Sequence, residues 1–195
     1  MVNKLLDCYE CPIDIYIFKL IDEQLETFYN LGLTPNMVTT LSIVFGLLAA
    51  YAIMQDQLGL AALCWLIAYY LDCVDGKLAR KYQMVSNFGD LYDHFGDLLK
   101  FIAVLYALFY SKEEKTTDKQ WFYLLIILFL GMLQVVHMGY QECIYDKKEE
   151  SAYLNVVRLL CVDEENAENI IHYTKHFGCG TWYLCFTLLI LFWRK

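Results

Sequence analysis

Long apolar runs separated by polar stretches dominate the chain, and they predict its secondary structure. Four runs, at residues 36–54, 58–79, 88–110 and 121–138, are long enough for an α-helix to cross the hydrocarbon core of a bilayer. A fifth run at 178–193 is shorter and ends beside two basic residues that would mark its exit from the hydrocarbon. The pattern predicts an all-α integral membrane protein with a bundle of five transmembrane helices.

The segment before the first run has an amphipathic pattern instead. Its apolar residues recur at helical spacing, with charged residues between them, at Ile17, Leu20, Ile21, Leu25 and Phe28. This spacing predicts a helix on the membrane surface, and a helix packed on the body of the protein explains it equally well. The chain is therefore divided into an N-terminal interfacial segment, 1–34, and a transmembrane domain, 35–195.

A polar stretch at residues 141–177 separates the fourth and fifth runs. Within it, residues 152–162 are apolar but too few to cross a bilayer. We interpret this short run as interfacial or re-entrant.

Composition and charge narrow the class of protein. Apolar residues make up 58% of the 195-residue chain and charged residues 19%, whereas an average soluble domain has about 25% charged residues. The formal net charge of −8 argues against nucleic acid as a partner, because binding to phosphates requires a basic face. Membrane lipids are the expected surroundings.

Basic residues also predict the orientation in the membrane. With the N-terminus inside, one side would collect Lys4, Lys19, Lys77, Arg80, Lys81, Lys147, Lys148, Arg158 and Lys175. The other side would collect Lys112, Lys115, Lys119, Arg194 and Lys195. Because the more basic side usually faces the cytoplasm, the N-terminus is predicted to be cytoplasmic.

Four carboxylates interrupt the second and third apolar runs. Asp72 and Asp75 are three residues apart and Asp93 and Asp97 are four apart, so each pair shares one helix face. If the chain turns near Gln83, two antiparallel helices bring both pairs to a similar depth near the cytoplasmic end. Charged groups at such positions are costly and mark functional sites.

Like charges gathered in a low dielectric require protons or cations. A set of oxygen ligands suits Mg²⁺ or Mn²⁺, and four carboxylates carry enough charge for two divalent cations. A structural role for a single buried aspartate is the alternative, but it does not explain four aspartates at paired spacing. For Asp90 and His94, a supporting role and a packed polar pair are equally reasonable. Lys100 is expected to pair with a carboxylate.

These residues form a motif with fixed spacing, Asp72-x2-Asp75-Gly76-x2-Ala79-Arg80-x8-Gly89-x3-Asp93-x3-Asp97. The motif resembles that of the CDP-alcohol phosphotransferase family, whose members release CMP from a CDP-linked donor. Pro35-Asn36-x-x-Thr39, at the start of the first run, is similar to the family's usual first transmembrane helix. The family core usually has six spans, so six is the alternative to the five predicted here.

The resemblance implies a role for each matched residue. Asp72, Asp75 and Asp93 would ligate two divalent cations, Mg²⁺ or Mn²⁺, and Asp97 would ligate a cation and act as the catalytic base. Gly76, Ala79 and Gly89 would line the cytidine nucleotide pocket, and Arg80 would orient the motif or the diphosphate. The supporting residues would be Asn36, Asp90 and His94. A homodimer is left open by the resemblance.

The substrate prediction rests on weaker features. Asp90 and His94, flanking Asp93, resemble the choline/ethanolamine phosphotransferase branch, which implies transfer from CDP-choline or CDP-ethanolamine to diacylglycerol. The alternative is transfer from CDP-diacylglycerol to inositol or another small alcohol, as in phosphatidylinositol synthases. A divalent-cation transporter is the alternative from another class, because it too would place carboxylates in the membrane.

Overall fold

The computed structural model describes residues 7–110, 118–145, 159–163 and 165–193. Seven α-helices lie in these ranges: α1 Pro12–Asn30, α2 Pro35–Met54, α3 Leu58–Lys81, α4 Asn87–Tyr110, α5 Asp118–Tyr145, α6 Ala167–Thr174 and α7 Cys179–Phe192. A 3-10 turn, Lys175–Phe177, joins α6 to α7. No strand occurs in the described ranges, and the predicted all-α fold class is confirmed.

Four segments are long and apolar enough to cross a membrane: Pro35–Met54, Leu58–Lys81, Asp118–Ile144 and Ala167–Phe192. The fourth joins α6, the 3-10 turn and α7, so this segment begins earlier than the apolar run predicted at 178–193. Helix α4 does not qualify by composition, because its first half carries the charged residues of the motif. It has 24 residues, equivalent to about 36 Å at 1.5 Å per residue, and it packs along α2. That α4 is the fifth membrane-crossing helix stays a prediction.

The boundaries of α2, α3 and α4 agree with the predicted runs to within two residues. Helix α5 is longer than its apolar run, 121–138, because polar residues continue the helix through Tyr145. Of the predicted interfacial or re-entrant segment, residues 152–158 lie outside the described ranges.

Local sequence explains where α2 begins, and a turn separates α3 from α4. Thr34 precedes α2, and its hydroxyl accepts a hydrogen bond from the backbone N–H of Met37, while Pro35 occupies the first helical position. The turn between α3 and α4 contains Gln83 in a left-handed conformation, with φ of 57°. The predicted reversal near Gln83 is therefore present.

Helix α2 lies between α3 and α4 and packs on both. Small residues permit the close approach to α4. A Cβ atom on Gly96 would lie 2.7 Å from Cδ1 of Ile43, and a Cβ atom on Gly46 would lie 2.8 Å from Cδ of Lys100. Glycine at both positions lets the α4 backbone and the Lys100 side chain lie directly on α2.

Helix α1 packs against α3 and α7. Its buried residues Ile21 and Leu25 contact an apolar cluster that includes Val38 and Val74. Tyr16 and Leu20, on its other side, are exposed. The amphipathic helix is thus present and its inner face packs on the protein body, while its position at the membrane surface stays a prediction.

Candidate active site

Three carboxylates from two helices converge beside α2. Asp72 lies on α3, and Asp93 and Asp97 lie one turn apart on α4. One carboxylate oxygen from each lies within 4.8 Å of the other two. The structure therefore brings together three of the four aspartates that the motif predicted, at the separation of ligands around a common ion.

Asp75 is the most buried of the four aspartates, and it lies outside this group of three. Its Oδ2 atom accepts a hydrogen bond of 2.6 Å from the hydroxyl of Thr39 on α2. This bond holds the carboxylate in one orientation. Its role as a metal ligand stays a prediction.

Lys100, one turn after Asp97, lies among the carboxylates. Its Nζ atom is 2.8 Å from Oδ1 of Asp72 and 2.7 Å from Oδ1 of Asp97. It also donates a 2.7 Å hydrogen bond to the hydroxyl of Ser42, which in turn donates to the carbonyl of Ala68. The expected pairing of Lys100 with a carboxylate is present, and it involves two carboxylates.

The donor set suits a hard divalent cation. Oδ1 of Asp93 is buried and has no hydrogen-bond partner among the described residues. A buried carboxylate oxygen without a partner is costly, and a bound cation would remove that cost. Oxygen ligands of this kind are those that Mg²⁺ and Mn²⁺ prefer. The residues present therefore fit the predicted metal.

The four aspartates also differ in exposure. The side chain of Asp97 is 41% exposed, whereas that of Asp72 is 15% exposed. Asp97 is therefore more accessible to an incoming molecule than Asp72 or the buried Asp75.

Comparison with known proteins agrees with this geometry. The sequence model of the CDP-alcohol phosphatidyltransferase family matches residues 32–191, which is most of the chain and includes all four aspartates. The chain belongs to the CDP-alcohol phosphatidyltransferase family.

Three curated relatives illustrate the family. An archaetidylinositol phosphate synthase from Pyrococcus horikoshii is 36% identical over 84 residues, covering 43% of this chain and 44% of the relative. A CDP-diacylglycerol–serine O-phosphatidyltransferase from Mycobacterium leprae is 25% identical over 163 residues, covering 80% of this chain and 53% of the relative. The Bacillus subtilis protein of that name is 35% identical over 77 residues, covering 40% and 44%. The chain spans about half the length of these relatives, and no solved structure matches it.

These relatives do not support the predicted choline/ethanolamine branch. Two of the three have CDP-diacylglycerol in their names, which favours the alternative. The prediction rested on Asp90 and His94. In the structure, Nδ1 of His94 lies 2.7 Å from the backbone carbonyl of Asp90, one turn earlier on α4, and 3.7 Å from its carboxylate. This local contact within one helix accounts for the pair without a choline or ethanolamine substrate.

The glycines of the family motif lie beside polar side chains. The space above Gly76 faces the guanidinium group of Arg80, since a Cβ there would lie 3.3 Å from one of its nitrogens. A Cβ on Gly89 would lie 3.1 Å from the side-chain oxygen of Asn36 and 3.0 Å from the hydroxyl of Ser86. Arg80 thus lies over Gly76 and Asn36 beside Gly89, while the roles of both residues and the nucleotide pocket with Ala79 stay predictions.

Sequence reasoning missed the part that α2 plays in the site. Ser42 was not identified, and Thr39 was noted only as part of the start of the first run. Both are buried, and both donate or accept hydrogen bonds with charged residues of the site. Their spacing of three residues on one face of an apolar helix was an available signal, because a buried hydroxyl requires a partner.

Proposed function

We propose that this chain catalyses the metal-dependent transfer of a phosphatidyl group from CDP-diacylglycerol to a small alcohol, with release of CMP. The observation that carries the proposal is the convergence of Asp72, Asp93 and Asp97 within 4.8 Å in a chain of this family. The donor is inferred from the names of the relatives, two of which act on CDP-diacylglycerol and serine.

The acceptor is proposed to be a small alcohol without a phosphate group, such as inositol or serine. A phosphorylated acceptor would need a cationic pocket. Among the described residues of the motif region, Lys100 is already held by two carboxylates, and Arg80 lies over Gly76, which is predicted to line the nucleotide pocket. These contacts support a neutral or zwitterionic acceptor.

The chemistry can be written with the residues of this chain. Divalent cations held by Asp72, Asp75, Asp93 and Asp97 would polarise the diphosphate and neutralise the charge that develops on it. Asp97, whose side chain is 41% exposed, accepts the proton of the acceptor hydroxyl. The acceptor oxygen then forms a bond to the phosphatidyl phosphorus, the bond from that phosphorus to the CMP oxygen breaks, and CMP leaves. Arg80 orients the diphosphate. The resemblance implies two cations, and this number stays a prediction.

The test is a release assay with the purified protein in detergent. CMP is measured with Mn²⁺ or Mg²⁺, with CDP-diacylglycerol, CDP-choline or CDP-ethanolamine as donor, and with inositol, serine, inositol phosphate or diacylglycerol as acceptor. We expect CMP release only with CDP-diacylglycerol and a small alcohol, and none in a chelator. Asp118→Asn, at an exposed position in the first turn of α5, is the control for loss of a carboxylate. Turnover of CDP-choline with diacylglycerol would contradict the proposed donor, and full activity in a chelator would contradict the metal site.

The site is proposed to open toward the cytoplasm. The support is the excess of basic residues on that side, including the exposed Lys81 at the end of α3. The test uses Lys81→Cys in a chain that lacks the exposed Cys8, with the Cys8→Ser chain as the background control. A membrane-impermeant maleimide should label inside-out vesicles but not intact cells. The reverse pattern would place the site on the other face.

The outer faces of α4 and α5 expose large apolar side chains, such as Leu98 and Phe129, as expected for contact with membrane lipids.

A homodimer stays a prediction, which a mass measurement of the protein–detergent complex would check.

A further inference from the structure

Lys100 is 1% exposed although it carries a charged group. Its ammonium nitrogen lies within 2.8 Å of oxygens from Asp72, Asp97 and Ser42. Two of these three residues belong to the aspartate set that the family motif assigns to the metals. A positive charge is therefore part of the carboxylate site.

Helix α2 holds Lys100 in place independently of the carboxylates. The aliphatic part of the side chain lies on Gly46, where an added Cβ would come within 2.8 Å of Cδ and 2.9 Å of Cβ of the lysine. One turn earlier, Ser42 accepts the hydrogen bond from Nζ while donating its own proton to the carbonyl of Ala68. The hydroxyl is thus oriented to accept from the lysine. A glycine and a serine one turn apart form a slot that fits this side chain.

We propose that Lys100 serves as a built-in cation of the site, occupying the position between Asp72 and Asp97 that a second divalent cation would otherwise take. The proposal rests on the proposed metal-dependent function. In the absence of nucleotide, the wild-type site then binds one divalent cation per chain. The binding of a second one requires Lys100 to leave its place.

Electrostatics explain why a second divalent cation does not bind while Lys100 is in place. An ammonium group 2.7–2.8 Å from one oxygen of each carboxylate occupies the coordination positions of those oxygens. It also repels a divalent cation at the short distance that sharing the site would impose, in surroundings where charges are weakly screened. The same charge stabilises the four aspartates when fewer cations are bound, because like charges repel strongly in a low dielectric.

The proposal is tested by measuring Mn²⁺ binding to the purified protein without nucleotide, by calorimetry and by the electron paramagnetic resonance signal of free Mn²⁺. Lys100→Met removes the charge and keeps much of the volume. Lys100→Gln is the second variant, because its amide still reaches toward Ser42. Both are purified with Mn²⁺ present and then exchanged. Lys77→Met is the matched control, since Lys77 is equally buried and lies outside the carboxylate site.

We expect one Mn²⁺ per chain in the wild type and in Lys77→Met. In the Lys100 variants we expect either a second equivalent or at least tenfold tighter binding of the first, a difference of about 1.4 kcal/mol. Equal stoichiometry and affinity in the wild type and both Lys100 variants would overturn the proposal. So would two equivalents in the wild type, or no binding by any of these proteins.

CMP release, measured in parallel, separates this proposal from the proposed function. If the wild type releases CMP from CDP-diacylglycerol but the wild type and the Lys100 variants bind Mn²⁺ identically, the proposed function stands and the role of Lys100 is refuted. If the Lys100 variants bind additional Mn²⁺ but the wild type shows no transfer with any donor, the role of Lys100 stands and the proposed function is refuted.

Discussion

Two lysines, Lys77 on α3 and Lys100 on α4, are each 1% exposed, yet they lie in regions with different roles. Lys77 joins α3 to α1: its Nζ is 2.5 Å from Oδ1 of Asp22 and donates to the backbone carbonyl of Phe18 at 3.1 Å. Lys100 lies between Asp72 and Asp97 in the carboxylate site. Equal burial therefore does not indicate an equal role.

The difference lies in the partners. Asp22 is 46% exposed, so it can be hydrated when Lys77 is removed. Asp72 is 15% exposed and has another carboxylate of the site beside it, so the loss of Lys100 leaves charges that water stabilises poorly. The α1–α3 contact is a structural joint between helices, whereas the carboxylate site is a group of charges that requires cations.

The largest expected effect falls on the carboxylate site. Asp97→Asn should lower transfer about 10²–10⁴-fold, because the amide cannot accept the proton of the acceptor hydroxyl. Mn²⁺ binding should be mostly retained, since the amide oxygen still faces the site. The measurement is CMP release at saturating donor, beside Mn²⁺ binding. Asp22→Asn is the control from the α1–α3 contact and should retain its turnover; normal turnover by Asp97→Asn would remove Asp97 from its assigned role.

A smaller effect is expected where α2 supports the site. Thr39→Val removes the 2.6 Å hydrogen bond to Asp75 and should weaken Mn²⁺ binding or transfer about 10–100-fold, as is common for residues that orient metal ligands. The matched control is Thr40→Val, which removes the exposed hydroxyl of the next residue; this hydroxyl contacts the carbonyl of Asn36 and the hydroxyl of Tyr92 but none of the four aspartates. If both variants behaved alike, the bond to Asp75 would have no special role.

In the α1–α3 contact, the expected effect is on stability alone. Lys77→Met should lower the free energy of unfolding by about 1–2 kcal/mol. The loss is smaller than for a fully buried pair, because Asp22 is half-exposed and can be hydrated. Thermal unfolding in detergent measures this loss, and CMP release per folded molecule should stay at the wild-type level. A large loss of turnover with unchanged stability would mean that Lys77 acts on the site.

The same contrast shows what could be predicted from the sequence. The carboxylate site was predictable because Asp72 and Asp97 interrupt apolar runs, where charge is costly, and because their spacing fixes a helix face. Lys77 was counted only among the basic residues of one side, and the structure instead shows it buried against α1. Contacts between α1 and α3 depend on how helices pack, and helical periodicity does not specify the partner of a face.

Hydropathy alone is a weaker guide to the number of spans, for a related reason. Hydropathy identifies helices by their apolar content, and α4 loses that signal in the first half, where Asp93 and Asp97 lie. The last span was underestimated because α6 and the 3-10 turn extend α7 backward through polar residues. Polar residues in both places have partners inside the protein that hydropathy does not register, such as Asp97 beside Lys100, and Thr174, whose hydroxyl lies 3.1 Å from Nδ1 of His137.

The smallest expected effect concerns Asp14, a buried aspartate in the α1 contacts. Its carboxylate accepts hydrogen bonds from the hydroxyl of Tyr69 and from the backbone N–H of Gly180 in the first turn of α7. Burial raises the pKa of Asp14 above its ordinary value of 3.8, and these hydrogen bonds oppose the rise only in part. Because the folded state holds the proton more tightly than the unfolded state, the contribution of Asp14 to stability is greatest below the unfolded pKa. It decreases as the pH rises through the folded pKa and is constant above it.

Asp14→Asn should remove this pH dependence, because its amide oxygen can still accept from Tyr69 or Gly180 while no charge is desolvated. At pH 7 we expect the free energy of unfolding to stay the same or to rise by up to about 1 kcal/mol. The curve of unfolding temperature against pH should be flatter above about pH 4. The difference between wild type and variant isolates Asp14 from the other buried carboxylates, and Asp118→Asn controls for the loss of an exposed charge. A clear destabilisation at pH 7 would instead mean that the carboxylate charge stabilises the α7 N-terminus by more than its burial costs. In that case the α1 contacts, like the carboxylate site, would depend on a buried charge, and the contrast between the two regions would narrow.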